Sequence, residues 1–389
     1  MNKEIKVLIF ANSSWYLYNF WLNNIEIFRS SGYKVILVAN NDGYDSRLME
    51  RGFAFYALNV SRGIKGLFGD IRLIINLRSI IREVSPDIVH NLNPKPVIYS
   101  SILLLIIKAF GYDKKIMIVN SFPGLGRLYS NGSILYSFLR MIFEKLYGVI
   151  SKSSAVKSVF QVSSDREYFL KKNIVSGQSS YIIRGSGVDI NNFYPSGKLR
   201  KNDKLRVLMA SRMTAEKGVY VYLSACKEIN TKYNNVSFSL AGRTDHNEPD
   251  LISPNKLIHL CESSGVNYLG HVNNMSELLR TVDVVVLPTT RREGVPRILV
   301  ESAASGVSLV ATNVGGCPDV VHHNVNGFII NENSVEDLVV AIEKFIGNDE
   351  LLQKYSLASR EIVLKEMNST YVANAYIDIY KTINLMRYK

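Results

Sequence analysis

Short runs of β-branched and aliphatic residues punctuate the chain from its first residues to about position 330. In the first half they fall at 6–10, 34–38, 53–60, 87–90 and 115–119. The runs are nearly continuous rather than alternating, which is the pattern of strands buried on both faces of a parallel sheet. Between them lie longer segments with apolar residues at helical spacing. At 70–84, for example, Ile71, Ile74, Ile75 and Leu77 recur every three or four positions. Strand–helix alternation of this kind predicts a doubly wound α/β domain.

The same rhythm starts again at 205–209 and continues at 236–240, 284–287, 308–311 and 327–330. Between the two sets, 185–203 is rich in Gly, Asn, Ser, Pro and charge, and reads as a linker. The expected architecture is α/β, with two Rossmann-like domains facing each other across a cleft. Residues 1–188 form the first domain and 189–368 the second. Residues 369–389 form a C-terminal helix that packs back on the first domain. Ligands of such sheets bind beyond the carboxyl ends of the strands, so the candidate chemistry belongs there.

Composition excludes several classes. The chain has 389 residues, 47% hydrophobic and 21% charged, with 25 Gly and 10 Pro, so disordered and collagen-like readings fail. Three cysteines without C-x-x-C spacing (Cys226, Cys261, Cys317) argue against a disulfide framework and for a reducing, cytoplasmic setting. Residues 1–6 run straight into the first strand, so no signal peptide is expected. The most apolar stretch, 102–107, is closed by Lys108 and is far shorter than the ~20 residues a membrane span needs.

Charge changes the picture more. The net charge is +12, and residues 1–188 hold 24 Lys+Arg against 12 Asp+Glu, while the remainder is balanced. An excess confined to one half suggests an anionic membrane surface or a polyanion as partner. There is no RNP-like aromatic motif, C₂H₂ spacing or Arg-rich tract, so no nucleic acid is expected. An amphipathic segment at 134–150 places Ile134, Leu135, Phe138, Ile142, Leu146 and Val149 on one stripe, with Arg140, Glu144 and Lys145 elsewhere. The preferred reading is a core-facing helix. The alternative is a helix resting on a membrane. The expected location of the protein is cytoplasmic, peripheral on the inner face of the cell membrane.

Four motifs sit at strand ends of the second set. Ser211-Arg-Met-Thr-Ala-Glu-Lys-Gly218 follows the strand at 205–209. Arg212 offers a planar fork to phosphate oxygens, Lys217 a point charge, and the next helix N-terminus adds amide donors. Leu240-Ala-Gly-Arg243 ends the next strand, placing Gly242 and Arg243 at its tip. Arg292-Glu-Gly-Val-Pro-Arg-Ile-Leu-Val-Glu301 follows the strand at 284–287, with Pro296 suited to a first helical turn. Its carboxylates Glu293 and Glu301 lie eight residues apart at different depths of one element, so they can bond two different parts of one ligand. The apolar neighbours of Glu301 predict a buried carboxylate that needs partners. Gly315-Gly-Cys-Pro-Asp319 is a further turn whose glycines let backbone approach an anion.

Together these motifs resemble the donor domain of retaining glycosyltransferases of the GT-B fold, family 4: an R-x-x-x-E-K-G loop, an A-G loop, an E-x7-E pair within E-G-x-P, and a G-G-x-x-D turn. The likeness covers about 205–330. In the first half, His90-Asn-Leu-Asn-Pro-Lys-Pro96 and Asn120-Ser-Phe-Pro-Gly-Leu-Gly126 are similar to acceptor domains of bacterial lipid-linked polysaccharide and O-antigen transferases. Asn12-Ser-Ser-Trp-Tyr16 stands where many relatives have a Gly-Gly turn, and no His lies between His90 and His246.

The resemblance implies that Arg212 and Lys217 hold the donor diphosphate and stabilise the leaving group's charge. It implies Glu301 on the ribose hydroxyls and Glu293, beside Gly294, on the transferred sugar. Gly124, Gly126, Gly315 and Gly316 would line the pocket, with Asn12, Lys95 and Arg127 on the acceptor side. His90 is either a first-domain hydrogen-bond donor or base, or a structural histidine. The implied activity is transfer of a hexose or N-acetylhexosamine from a nucleotide sugar, UDP by preference, to a polyprenyl-diphosphate-linked saccharide with retention of configuration. No D-x-D pair is present and His322 and His323 face different ways, so no metal and no cofactor are expected. Two alternatives share the fold: a nucleotide-sugar epimerase or hydrolase, and a non-catalytic assembly protein.

Overall fold

The structure, a computed structural model, describes residues 4–60, 67–109, 116–130, 133–197, 204–244 and 250–387. It divides into two compact units, Met1–Gly187 with Ser369–Lys389, and Val188–Asn368.

In the first unit the strands are β1 (Ile5–Phe10), β2 (Tyr33–Ala39), β3 (Ala54–Ala57), β4 (Ile88–Asn91), β5 (Met117–Phe122), β6 (Val156–Phe160) and β7 (Ser180–Ile182). They form one parallel sheet in the order β3-β2-β1-β4-β5-β6-β7. In the second unit β8 (Leu205–Ala210), β9 (Val236–Ala241), β10 (Val266–Gly270), β11 (Val284–Leu287), β12 (Ser308–Thr312) and β13 (Gly327–Ile330) are parallel in the order β10-β9-β8-β11-β12-β13. Both orders reverse after the unit's first strand, so each sheet has its switch point there, β1/β4 and β8/β11.

The α/β class and the two Rossmann-like sheets agree with the pattern of apolar runs, because most of those strands are buried on both faces; the edge strand β3, with no buried residue, is the exception. β6, β7 and β10 escaped that pattern for physical reasons. β6 buries Lys157 and Ser158 among its apolar residues, β7 is a three-residue edge strand, and β10 is an edge strand with half-exposed residues. The expected linker is partly a docked segment. Phe193 is buried in the second unit's core, and the Arg360 guanidinium donates to the carbonyls of Phe193 (2.8 Å) and Ala304 (2.6 Å).

The helix Ile134–Ile150 corrects a preferred reading. Phe143, Tyr147 and Ile150 are its buried residues. The predicted stripe points outward instead, with Ile134 90%, Phe138 53%, Leu146 42% and Val149 65% exposed. Phe143 and Tyr147 pack in a cluster with Phe122, Phe160 and Phe169, and Ile150 with Ile118 and Val156, so the wider stripe is left out. The 102–107 segment belongs to the helix Pro94–Ala109, and its side chains from 104 onward lie outside the described residues. Among the described residues no helix is long and apolar enough to cross a membrane.

Candidate functional site

The second unit gathers the candidate residues at the carboxyl ends of β8, β11 and β12. After β8, the loop closes in a 3₁₀ turn at Ala215–Lys217, and Gly218 takes φ +82° to begin the helix Val219–Lys232. A Cβ on Gly218 would stand 2.0 Å from the Pro288 carbonyl oxygen, so a side chain there would force the β8 and β11 loops apart. The loops are then laced at Glu216. Its carbonyl accepts from the Thr290 N–H (2.9 Å) and the Thr289 hydroxyl (3.0 Å), and its carboxylate meets Arg291 Nη1 at 3.3 Å.

This lacing brings Lys217 to Glu293. The Lys217 ammonium donates to Glu293 Oε1 at 2.6 Å, and Arg291 Nε lies 3.7 Å from the same oxygen. Lys217 is 7% exposed, which desolvates the pair and makes each charge depend on the other. Arg212 lies partly exposed on the same loop, its carbonyl accepting from the Thr214 N–H at 2.9 Å. Gly242, at the end of β9, accepts from the Tyr268 hydroxyl (2.9 Å). Arg243 beside it is exposed.

The β12 turn rests on the same loop. Gly315 has φ +55°, and a Cβ there would be 2.4 Å from the Glu293 carbonyl oxygen. The Gly316 N–H donates to that oxygen at 3.2 Å, so this amide holds Glu293's loop and is not left for a ligand. That corrects the expectation that Gly316 lines the pocket through its amide. Gly294 packs against Gly316 from the other side. Cys317 next door is buried, and burial with Glu293 beside it pushes its thiol up to about 12. Such a thiol stays protonated and inert.

Glu301 sits one element deeper, in the helix Arg297–Ala304, flanked by buried Leu299, Val300, Ala303 and Ala304. Burial raises its pKa, and Arg297 partly offsets that through a hydrogen bond from Nε to Oε1 at 2.5 Å. The motif therefore carries a carboxylate pair in which each member has its own cation. Arg291, Arg297, Glu216 and Thr289 were not among the sequence candidates. The signal available was the run of cations around Glu293-Gly-Val-Pro, but which carboxylate each one meets depends on the fold.

In the first unit the candidates are spread along the carboxyl edge. The Asn12 N–H donates to Asn93 Oδ1 at 3.1 Å, while its own Oδ1 is buried without a hydrogen-bond partner among the described residues. Lys95 begins the helix Pro94–Ala109, 6.0 Å from the Tyr99 ring. Gly124 and Gly126 lie in the turn after β5, and Gly126 adopts φ +63°. The Arg127 side chain lies outside the described residues.

His90 is not at a surface. Its Nδ1 is hydrogen-bonded to the Tyr380 hydroxyl at 2.6 Å and its Nε2 to Ser121 Oγ at 2.8 Å, and Trp21 and Tyr376 pack on its ring. Burial drives its pKa down to about 3, so the ring is neutral. With both nitrogens occupied and no exposure, the donor-or-base reading gives way to the structural one.

Two Rossmann-like units, one of which concentrates phosphate-type cations and two carboxylates at the carboxyl edge of its sheet, define a glycosyltransferase of the GT-B fold. The family model "Glycosyl transferases group 1" matches residues 192–362, and "Glycosyl transferase 4-like" matches residues 6–151. A Campylobacter jejuni relative, N,N'-diacetylbacillosaminyl-diphospho-undecaprenol alpha-1,3-N-acetylgalactosaminyltransferase, is 22% identical over 94% of this chain and 96% of its own. An Escherichia coli relative, UDP-Gal:alpha-D-GlcNAc-diphosphoundecaprenol alpha-1,3-galactosyltransferase, is 21% identical over 92% of each. The crystal structure of a glycosyltransferase from Rickettsia africae superposes with a TM-score of 0.80, covering 98% of this chain and 99% of that one at 18% identity. The chain belongs to the GT-B glycosyltransferases of the family 4 type.

Proposed function

We propose that this glycosyltransferase moves a hexose or N-acetylhexosamine from a UDP-sugar to a polyprenyl-diphosphate-linked saccharide in bacterial surface polysaccharide synthesis. The observation that carries this reading is the meeting of Lys217 and Glu293 at the joined ends of β8 and β11. A cation for the diphosphate and an acceptor for sugar hydroxyls lie side by side there, with Arg212 on the same loop and Glu301 one element deeper for the ribose. The names of the Campylobacter and Escherichia relatives support a diphospho-undecaprenol acceptor, and the latter supports UDP as the nucleotide.

Chemically, the bond from the anomeric carbon to the diphosphate breaks while one forms to the acceptor hydroxyl on the same face. The acceptor's proton passes to the leaving diphosphate, and configuration is retained. Arg212 and Lys217 stabilise the negative charge that grows on the leaving group, because preorganised cations in a desolvated site need no reorganisation as the bond breaks. With that charge met by side chains, the reaction runs without a divalent ion.

The first unit supplies the acceptor and membrane side. The outward stripe of Ile134–Ile150 in the more basic half supports binding to an anionic membrane surface, apolar residues entering the headgroup boundary and cations meeting the lipids. The reading is tested by incubating the protein with UDP-sugars and a polyprenyl-diphosphate saccharide on anionic vesicles, with and without chelator. Chelator-insensitive extension of the lipid-linked saccharide, slowed about 10²-fold by Lys217→Met, is the expected result. No donor stabilisation and no extension with any UDP-, GDP- or dTDP-sugar would overturn it.

A further inference from the structure

In the proposed function Glu301 receives the ribose hydroxyls. A diol presents two hydrogens, and a carboxylate with both oxygens free of protons receives them best. Yet Glu301 is 9% exposed, inside a helix whose neighbouring residues are apolar. A carboxyl group placed there is inclined to take a proton, and then presents a hydrogen of its own where the diol needs an acceptor.

Arg297 lies one helical turn earlier on the same stripe, and its Nε reaches Glu301 Oε1 at 2.5 Å. Its guanidinium is 37% exposed, so it keeps much of its hydration while it neutralises the buried partner. The contact is made through Oε1, so that oxygen is committed to Arg297. Arginine does not deprotonate in the working range, so any proton-linked change in this pair belongs to Glu301. Other charged groups nearby act elsewhere. Arg360, on the helix Asp349–Glu366 that packs against this one, spends its guanidinium on the carbonyls of Ala304, Phe193 and Ile190. Lys217, Glu293 and Asp319 act on Cys317, while Arg297 is the charged group that acts on Glu301.

We propose, resting on the ribose assignment of Glu301, that Arg297 is a positioning residue for donor recognition, holding Glu301 as a carboxylate for the nucleotide's ribose. It touches no reacting atom; it acts through Glu301. The consequence is specific. Without Arg297, burial acts on Glu301 unopposed and pushes it further toward the protonated form, and the donor meets a site of which only the ionised fraction is competent. Apparent affinity then falls about tenfold for each pH unit below the new midpoint, and returns when pH is raised.

The test is calorimetric titration of the full chain with UDP, and with GDP in parallel, from about pH 6 to about pH 9. Wild type, Arg297→Gln, Arg297→Lys, Glu301→Gln and the Arg297→Gln/Glu301→Gln double variant are compared. Arg297→Gln is expected to bind about tenfold or more weakly near pH 7 and to approach wild type at the alkaline end. Arg297→Lys, which keeps a charge but not the fork, should fall between them and serves where the glutamine variant fails to fold. Glu301→Gln has no carboxyl to titrate, so it and the double variant must bind alike at every pH. A loss in Arg297→Gln that is the same at every pH, or no loss at all, overturns the inference while leaving Glu301 on the ribose. Unchanged affinity in Glu301→Gln overturns the ribose reading itself.

Discussion

Lys217 and Glu293 stand 76 residues apart in the chain and meet at 2.6 Å, the ammonium of one on the carboxylate of the other, with Arg291 3.7 Å from the same oxygen. In the proposed function the pair joins a cation for the diphosphate to an acceptor for sugar hydroxyls, and it sets what each can do when the other is removed.

Replacing Lys217 with Met should lower donor turnover about 10²-fold, the scale found when one preorganised charge-stabilising donor is lost. Arg291 remains beside Glu293 in that variant, so the fold should survive. Arg291→Gln should have a smaller effect, weakening donor binding with little change in turnover. Steady-state kinetics separate the two. Equal losses in both variants would mean that Lys217 acts as a structural partner of Glu293.

Gly315→Ala tests the turn beneath Glu293. Its φ of +55° costs a side chain about 1–3 kcal/mol, and the added methyl would overlap the Glu293 carbonyl at 2.4 Å. The expected outcome is a lower melting temperature together with loss of nucleotide binding. A variant that melts lower but binds as before would uncouple the turn from the site.

The exposed stripe predicts a gain in solubility and a loss of docking. Phe138→Glu with Leu146→Glu should abolish co-sedimentation with vesicles of anionic phospholipid and leave UDP affinity unchanged. Because both positions are exposed, stability should change by about 0.5 kcal/mol or less. Undiminished vesicle binding would assign the membrane contact elsewhere.

His90 predicts how the first unit responds to acid. Its folded pKa, about 3, lies below the ordinary value of 6.5, so the native state binds fewer protons than the unfolded one. Its contribution is therefore fully present above about pH 6.5 and is lost as pH falls toward 3, by up to about 1.4 kcal/mol per pH unit. The chain's two tryptophans, Trp15 and Trp21, both belong to the first unit, so their fluorescence in denaturant reports that unit. The unfolding midpoint should drop between about pH 7 and pH 5, and His90→Gln should flatten the slope. Tyr380→Phe removes the partner of Nδ1 and should cost about 1–3 kcal/mol at neutral pH. A midpoint that does not move with pH in the wild type would contradict a neutral, buried ring.

The sequence by itself determined the α/β class, the two sheets and the loops that carry the candidate chemistry. Strands buried on both faces must be written as continuous apolar runs, and a diphosphate site needs its Arg, Lys and glycine turns at strand ends, so both leave local marks. The tertiary structure decided everything that depends on partners far along the chain. That Arg291 faces Glu293 while Arg297 faces Glu301, and that the Gly316 amide is used on Glu293, comes from which loops the sheet order brings together. The direction of the Ile134–Ile150 stripe was not legible for a related reason. Periodicity shows that a helix has an apolar face, but Phe143, Tyr147 and Ile150 also form one, and the aromatic and aliphatic residues they meet choose between the two. His90 turned on the last helix, whose Tyr376 and Tyr380 sit nearly three hundred residues away in sequence and enclose the imidazole. Whether a histidine is chemistry or core is a matter of what surrounds it, and local sequence does not carry that.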